Sequence, residues 1–187
     1  MKKINTVLFG ATGSIGDSVI SLVKKNSNKI NLEGITCNKN INKLIKIANL
    51  YKVKKIGFNE VNLKNKKINK LNKFDVHSDL SQFHKIISEK TDIIIFAISG
   101  LNGLDLLLRM LKSGKRLGIA NKECIISLGY RLNSISKKHL TQVIPLDSEH
   151  NSIYHLLRNN YENFKSITIT ASGGPFLNYN LNNLKDV

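Results

Sequence analysis

Residues 6–16 read Thr6-Val7-Leu8-Phe9-Gly10-Ala11-Thr12-Gly13-Ser14-Ile15-Gly16. A short apolar run gives way to three glycines spaced three apart, and an amphipathic stretch then runs to residue 25. A strand, a glycine turn and a helix in this order suit a dinucleotide. One glycine makes the tight turn, one lets backbone approach a pyrophosphate, and one packs helix on strand. The helix N-terminus offers N–H groups and a partial positive charge to the phosphates. The spacing is GxxGxxG rather than GxGxxG, and a plain turn with Ser14 as N-cap would look similar. The position of the motif, straight after the first strand, favours nucleotide binding.

Outward from this turn the chain alternates short apolar runs with amphipathic stretches. The pattern predicts strands at 6–9, 32–37, 55–58, 74–77, 93–98, 116–119, 142–145 and 166–170. It predicts helices near 14–25, 41–51, 80–89, 104–112, 122–137 and 151–157. Continuous apolar strands such as Ile93-Ile94-Ile95-Phe96 imply a parallel sheet covered on both faces. The fold class is therefore α/β, a Rossmann-like doubly wound sheet. The Asn/Lys-rich piece 59–73 reads as a solvated excursion. A domain boundary falls near Pro145, dividing a nucleotide-binding domain over 1–145 from the opening of an α+β catalytic domain over 146–187. The second piece is too small for a core of its own, so the sequence reads as truncated.

The composition bounds the function. The 187 residues carry 29 Lys+Arg against 13 Asp+Glu, a formal net charge of +16. Residues 1–75 hold a net +12 of this and residues 76–187 a net +4. A single-strand binder interleaves aromatics with its basic residues. Only Tyr51 and Phe58 fall in the dense basic stretch 39–73, which argues against nucleic acid. A positive field favours encounters with phosphorylated small molecules. Two cysteines, Cys37 and Cys124, exclude a disulfide scaffold and agree with a reducing cytoplasm. No apolar run approaches the ~18 residues of a membrane span.

Five further stretches carry chemistry. The second strand ends in Cys37-Asn38-Lys39-Asn40, without the acidic residue that reads a ribose 2′-hydroxyl. A cation between two amides suits a 2′-phosphate, hence NADPH, although Lys39 alone is also an ordinary solvated lysine. Ile98-Ser99-Gly100-Leu101-Asn102-Gly103 follows the most hydrophobic strand and could lie against the nicotinamide half, or simply start a helix. Ala120-Asn121-Lys122-Glu123 could bridge cofactor and substrate, or be a helix start capped by Asn121. Pro145-Leu146-Asp147-Ser148-Glu149-His150-Asn151 places two carboxylates two residues apart, so that both can face one point. Oxygen donors of this kind suit Mg²⁺ or Mn²⁺ acting as a Lewis acid. The same residues also make a helix cap with a dipole-complementing acid, and His150 and His155 read as helix-face residues. Ala171-Ser172-Gly173-Gly174-Pro175-Phe176 fits an anion nest with a Ser172 hydroxyl, or a tight turn.

Taken together, GATGSIG at 10–16, NKN at 38–40, ANKE at 120–123, PLDSEHN at 145–151 and ITASGGPF at 169–176 resemble the 1-deoxy-D-xylulose 5-phosphate reductoisomerase family, in order and spacing. Ala11, Asn38, Cys124 and Leu146 depart from it, where the family more often has Ser, Gly, Ser and Val. The resemblance implies an NADPH-dependent and metal-dependent isomeroreduction of 1-deoxy-D-xylulose 5-phosphate to 2-C-methyl-D-erythritol 4-phosphate. A retro-aldol and aldol rearrangement would precede hydride transfer. It implies that Asp147 and Glu149 hold Mg²⁺, Mn²⁺ or Co²⁺, and that Lys122, Ser148, Glu149 and Ser172 contact substrate. Lys122 and Glu149 would be catalytic. Thr12, Gly13, Ser14, Ile15, Asn38, Lys39, Asn40, Asn121 and Glu123 would contact NADPH. It further implies a homodimer, and a longer chain supplying a third metal carboxylate, a lid and a helical C-terminal domain. Binding of NADPH without turnover is the alternative for these residues alone.

Overall fold

The computed structural model describes residues 2–59, 71–158 and 164–169. Seven strands form one parallel sheet: β1 Ile4–Phe9, β2 Ile30–Thr36, β3 Lys55–Gly57, β4 Asp75–His77, β5 Ile93–Phe96, β6 Arg116–Ile119 and β7 Gln142–Pro145. Their order is β4-β3-β2-β1-β5-β6-β7, and every neighbouring pair is parallel. The order reverses between β1 and β5, the point at which open α/β sheets bind ligands beyond the carboxyl ends of their strands.

Period-two alternation explains how both faces are covered. Val7 and Phe9 of β1 point into one core with Ile94, Phe96, Leu117 and Ile119. Leu8 points into the other with Ile35, Ile56 and Phe58. The first core is closed by α3 (Leu104–Met110), α4 (Lys122–Leu128) and α5 (Tyr130–Lys138), through Leu107, Met110, Leu128 and Leu132. The second is closed by α1 (Ser14–Lys25) and α2 (Ile41–Leu50), through Val23, Leu44, Ile47 and Ala48. Lys24 and Lys25 in the last turn of α1 complement its dipole. The helix stops at Asn26, whose side chain donates to the Leu22 carbonyl at 3.0 Å.

The structure departs from the sequence pattern in five places. The helix expected over 122–137 is two helices, broken at Gly129, whose φ of +50° no helical residue adopts. The stretch 80–89 is a 3-10 helix, Leu80–Ile86, with Asp79 as its N-cap, accepting the Ser81 N–H at 3.1 Å. The strand expected over 93–98 ends at Phe96, where the chain turns into a second 3-10 segment, Leu101–Gly103. The last helix, α6, spans Ser148–Leu157 and so starts three residues earlier than its apolar pattern, because Asp147 caps it. Residues 166–169 pair with no strand among the described residues and are exposed; an alternating stretch becomes a strand only beside a partner. Most of the 59–73 excursion (60–70), residue 170 and the 171–176 turn with Ser172 lie outside the described residues.

Candidate functional site

Strand register builds the site. Phe9 pairs with Phe96, Phe96 with Ile119, and Ile119 with Pro145. The loops that follow these four residues therefore leave the sheet side by side. Three hydrogen bonds fix the row: Ala97 N–H to Phe9 O at 2.8 Å, Ala120 N–H to Phe96 O at 2.9 Å, and Leu146 N–H to Ile119 O at 2.7 Å. At about 4.8 Å per strand, the glycine turn and the acidic motif stand roughly 14 Å apart at the two ends of this row. Two cavities open along it. One, of about 480 Å³, is lined by Gly10, Thr12, Gly13, Thr36, Asn38 and the 97–99 segment among others. The other, of about 490 Å³, is lined by Ile15, the same 97–99 segment, Asn121, Lys122, Glu123, Asp147, Ser148 and Glu149 among others. Ala97, Ile98 and Ser99 form the wall common to both.

The glycine turn is as tight as its sequence suggests. Gly10 sits at φ +91°, and a Cβ there would lie 2.3 Å from the Ala97 carbonyl oxygen. A Cβ on Gly16 would lie 2.5 Å from the Gly10 oxygen and 2.6 Å from the Ala11 carbonyl carbon. The turn is also tied to β2: Gly10 N–H donates to Thr36 Oγ1 at 3.1 Å and Ala11 N–H to Thr36 O at 2.7 Å. Helix α1 begins at Ser14 with Gly13 as N-cap and no capping side chain, so its first N–H groups have no side-chain acceptor, next to a cavity lined by Thr12 and Gly13. Helices α2, α4 and α6 are capped by Asn40, Asn121 and Asp147, while α3 and α5, like α1, start without a capping side chain. A cradle without room for a Cβ, beside a helix start left open, fits a pyrophosphate. Asn38, Lys39 and Asn40 follow β2 on the exposed rim, with Asn38 lining the first cavity. Cys37 behind them is buried, and burial pushes its thiol up to about 12.

The acidic motif lies at the start of α6, directly after β7. Asp147 is the N-cap, accepting the His150 N–H at 3.1 Å and its ring Nδ1 at 2.8 Å and 2.9 Å on the two carboxylate oxygens. Its side chain is only 8% exposed. Asn151 donates to the Pro145 carbonyl at 2.7 Å, which locks the turn. Glu149 stays open to solvent, accepts the Ser148 hydroxyl at 2.9 Å and lies 3.7 Å from Lys122 Nζ. Its own backbone N–H, the Ser148 hydroxyl and the Lys122 ammonium hold its carboxyl below the usual range, against the opposing charge of Asp147. Both carboxylates line the same cavity. They fit a hard divalent cation as part of a shell: the donors are oxygens, and a carboxylate offers about four lone-pair sites. No group of three or more His, Cys, Asp or Glu side chains with metal-binding geometry occurs among the described residues.

Asn121 is buried, with its amide turned to neighbouring backbone, while Lys122 and Glu123 project from the first turn of α4 into the second cavity. The sequence pattern missed three participants. Thr36 orients the glycine turn; Lys43 Nζ reaches the Thr12 carbonyl at 3.2 Å and Asp17 at 2.6 Å; His150 grips Asp147. Only the last had a visible signal, the three-residue spacing from a helix cap. No helix among the described residues is long and apolar enough to cross a membrane.

Comparison with known proteins identifies relatives of the chain. The model of the family described as 1-deoxy-D-xylulose 5-phosphate reductoisomerase matches residues 6–129, and that of its C-terminal domain matches residues 143–187. A protein of that description from Pelagibacter ubique (strain HTCC1062) is 40% identical over 100% of this chain, which covers 49% of the relative. The Zymomonas mobilis reductoisomerase, solved in complex with NADPH, superposes with a TM-score of 0.84 at 27% identity, over 100% of this chain and 50% of that one. A DOX-P reductoisomerase solved in complex with magnesium gives 0.83 at 27% identity, over the same shares. The chain thus spans about half the length of the curated relatives it matches.

Proposed function

Because this chain belongs to the 1-deoxy-D-xylulose 5-phosphate reductoisomerase family, we propose that it forms the NADPH-binding half, and the start of the metal-binding and substrate-binding half, of an enzyme converting 1-deoxy-D-xylulose 5-phosphate to 2-C-methyl-D-erythritol 4-phosphate. Residues 1–145 form the nucleotide domain and 146–187 open the catalytic one. The observation that carries this reading is the shared wall: the 97–99 segment lines both the glycine-turn cavity and the carboxylate cavity. A cofactor anchored on the turn at Thr12, Gly13, Ser14 and Ile15 would reach along that wall toward Lys122 and Glu149. Both groups are named for what the relatives bind, NADPH in one structure and magnesium in another.

When bound, NADPH would supply a hydride and a divalent cation would supply Lewis acidity. The chain's own residues do the rest. Asn38, Lys39 and Asn40 receive the 2′-phosphate on the rim, where the Lys39 ammonium gives the charge. Asn121 and Glu123 shape the nicotinamide end. Asp147, held in place by His150, and Glu149, held ionised by Ser148 and Lys122, present carboxylate oxygens to the cation. Lys122 faces the same cavity and stabilises negative charge developing on a substrate oxygen. Ser172 would supply a hydroxyl donor to the substrate, and Ser148, whose one O–H donates to Glu149, would accept from it.

Titrating the 187-residue chain with NADPH and NADH tests the site. Binding is expected with clear preference for NADPH; no binding of either defeats the reading. A second reading, binding without turnover by these residues alone, is favoured by the lack of a three-ligand cluster among the described residues. NADPH oxidation with 1-deoxy-D-xylulose 5-phosphate and Mn²⁺ separates the two, since turnover by the chain on its own removes the second reading.

A further inference from the structure

We infer that Asn121 is a positioning residue, whose buried amide is the strut that holds the 98–100 turn against the start of α4 and thereby sets the wall between the two cavities. The residue is 3% exposed. Its Nδ2 donates to the carbonyl oxygens of Ile98 at 2.5 Å and Gly100 at 2.7 Å, and its Oδ1 accepts the Cys124 N–H at 2.8 Å. An amide has two N–H donors, so none is left for a ligand. Cys124 Sγ approaches the same Gly100 oxygen at 3.5 Å, which makes that carbonyl a meeting point of β5, the 98–100 turn and α4.

The position explains why the strut matters. Ile98 and Ser99 leave β5 with no further ladder bond to hold them, since the last one is Ala97 N–H to Phe9 O. The next regular segment begins at Leu101. Between these points the Asn121 amide supplies two of the bonds that fix the chain, and it reaches them from the residue next to Lys122. One side chain therefore sets both the wall against which the nicotinamide end would lie and the origin of the helix carrying Lys122 and Glu123. The inference deepens the proposed nucleotide site and rests on that reading for its ligand arm.

The test uses two variants of the 187-residue chain. Asn121→Ser and Asn121→Asp both keep an oxygen to cap the Cys124 N–H, and neither keeps an N–H to reach Ile98 and Gly100. In the ligand-free variants, amide hydrogen exchange across 98–104 is expected to quicken about tenfold or more, while exchange across 6–16 stays as in the parent. Affinity for NADPH should fall at least about fivefold, while affinity for adenosine 2′,5′-bisphosphate, which lacks the nicotinamide half, stays within about twofold. Unchanged exchange across 98–104 in the ligand-free variants overturns the strut, because a side chain acting only as a ligand would leave it alone. Loss of both ligands by a common factor overturns it as well. Should Asn121→Asp fail to fold, Asn121→Ser decides. Failure of the parent chain to bind NADPH defeats the nucleotide site, not the strut, which the exchange arm judges by itself.

Discussion

Replacing Gly16 by Ala is the sharpest test of how the glycine turn works. Gly16 is buried in the first turn of α1. A methyl there would meet the Gly10 oxygen at 2.5 Å, the Ala11 carbonyl carbon at 2.6 Å and the Ala11 oxygen at 2.7 Å. All three are backbone atoms in a turn bonded to Thr36, so none can swing aside. The approach is roughly 0.9 Å short of an ordinary contact, and α1 must move away from the turn by about that distance. Overpacking of this kind costs about 1–3 kcal/mol of stability. The effect on binding is separate. A hydrogen bond stretched from about 2.9 Å to about 3.8 Å is lost. Each bond from a helix N–H to a charged phosphate contributes about 1.5–3 kcal/mol. Losing one weakens NADPH about tenfold or more. The assay is fluorescence titration of NADPH, with a thermal melt in parallel to show that the variant is folded. A folded Gly16→Ala chain that binds NADPH within about twofold of the parent refutes the claim that close backbone approach anchors the phosphates.

Other perturbations report on other parts of the site. Cys37 and Cys124 are free but buried, and a thiol pushed up to about 12 is ionised to only about one part in 10⁴ at pH 8. Cys37 should thus resist alkylation in the folded chain and react fully in urea; fast labelling while folded would contradict its placement. Asn40→Ala removes the side-chain oxygen that accepts the Lys43 N–H at 3.1 Å. It should cost about 1 kcal/mol of stability by denaturant melt, and no measurable loss would show that water caps α2 equally well. Lys122→Met takes away a cation that helps hold the Glu149 carboxyl low. Because that carboxyl lies below its unfolded value, the stabilisation it gives is present above the ordinary glutamate range and is lost as pH falls through the folded value. The substitution should move the Glu149 midpoint toward higher pH in an NMR titration of the ligand-free chain, and a midpoint that stays put would mean that the 3.7 Å pair does not act in solution.

How much of this could be read from the chain depended on whether the cause was local. Ile93-Ile94-Ile95-Phe96 announces a strand buried on both faces because each residue alone is apolar enough, and β5 is that strand. The Gly10 and Gly16 contacts follow from spacing, since a turn so short leaves no volume for side chains. Gly129 carries no such local signal, because a lone glycine costs a helix only about 1 kcal/mol and tertiary packing decides whether the chain bends there. The two cavities became neighbours through strand register, which no motif encodes by itself. The bonds from Asn121 to Ile98 and Gly100 join residues more than twenty apart. A helix cap was legible at Asn121; the second use of the same amide was not.

The capping residues show how the fold prepares its chemistry before any ligand arrives. Asp147 has to satisfy the start of α6, and it does so with a carboxylate that His150 also grips on both oxygens. At 8% exposure such a charge would be costly if it were unpaired. Pairing fixes its rotamer, so its orientation is settled by the protein and not by a cation. Glu149, two residues on and half exposed, is the opposite case: it is held ionised by Ser148 and Lys122 at the open side of the cavity. One enclosed and one open carboxylate in the same cavity would suit the proposed metal site, which would have to hold a cation and still admit substrate oxygens. Helix α1 follows the converse logic. Its start has no capping side chain, and the acceptor its N–H groups lack is what a pyrophosphate would bring.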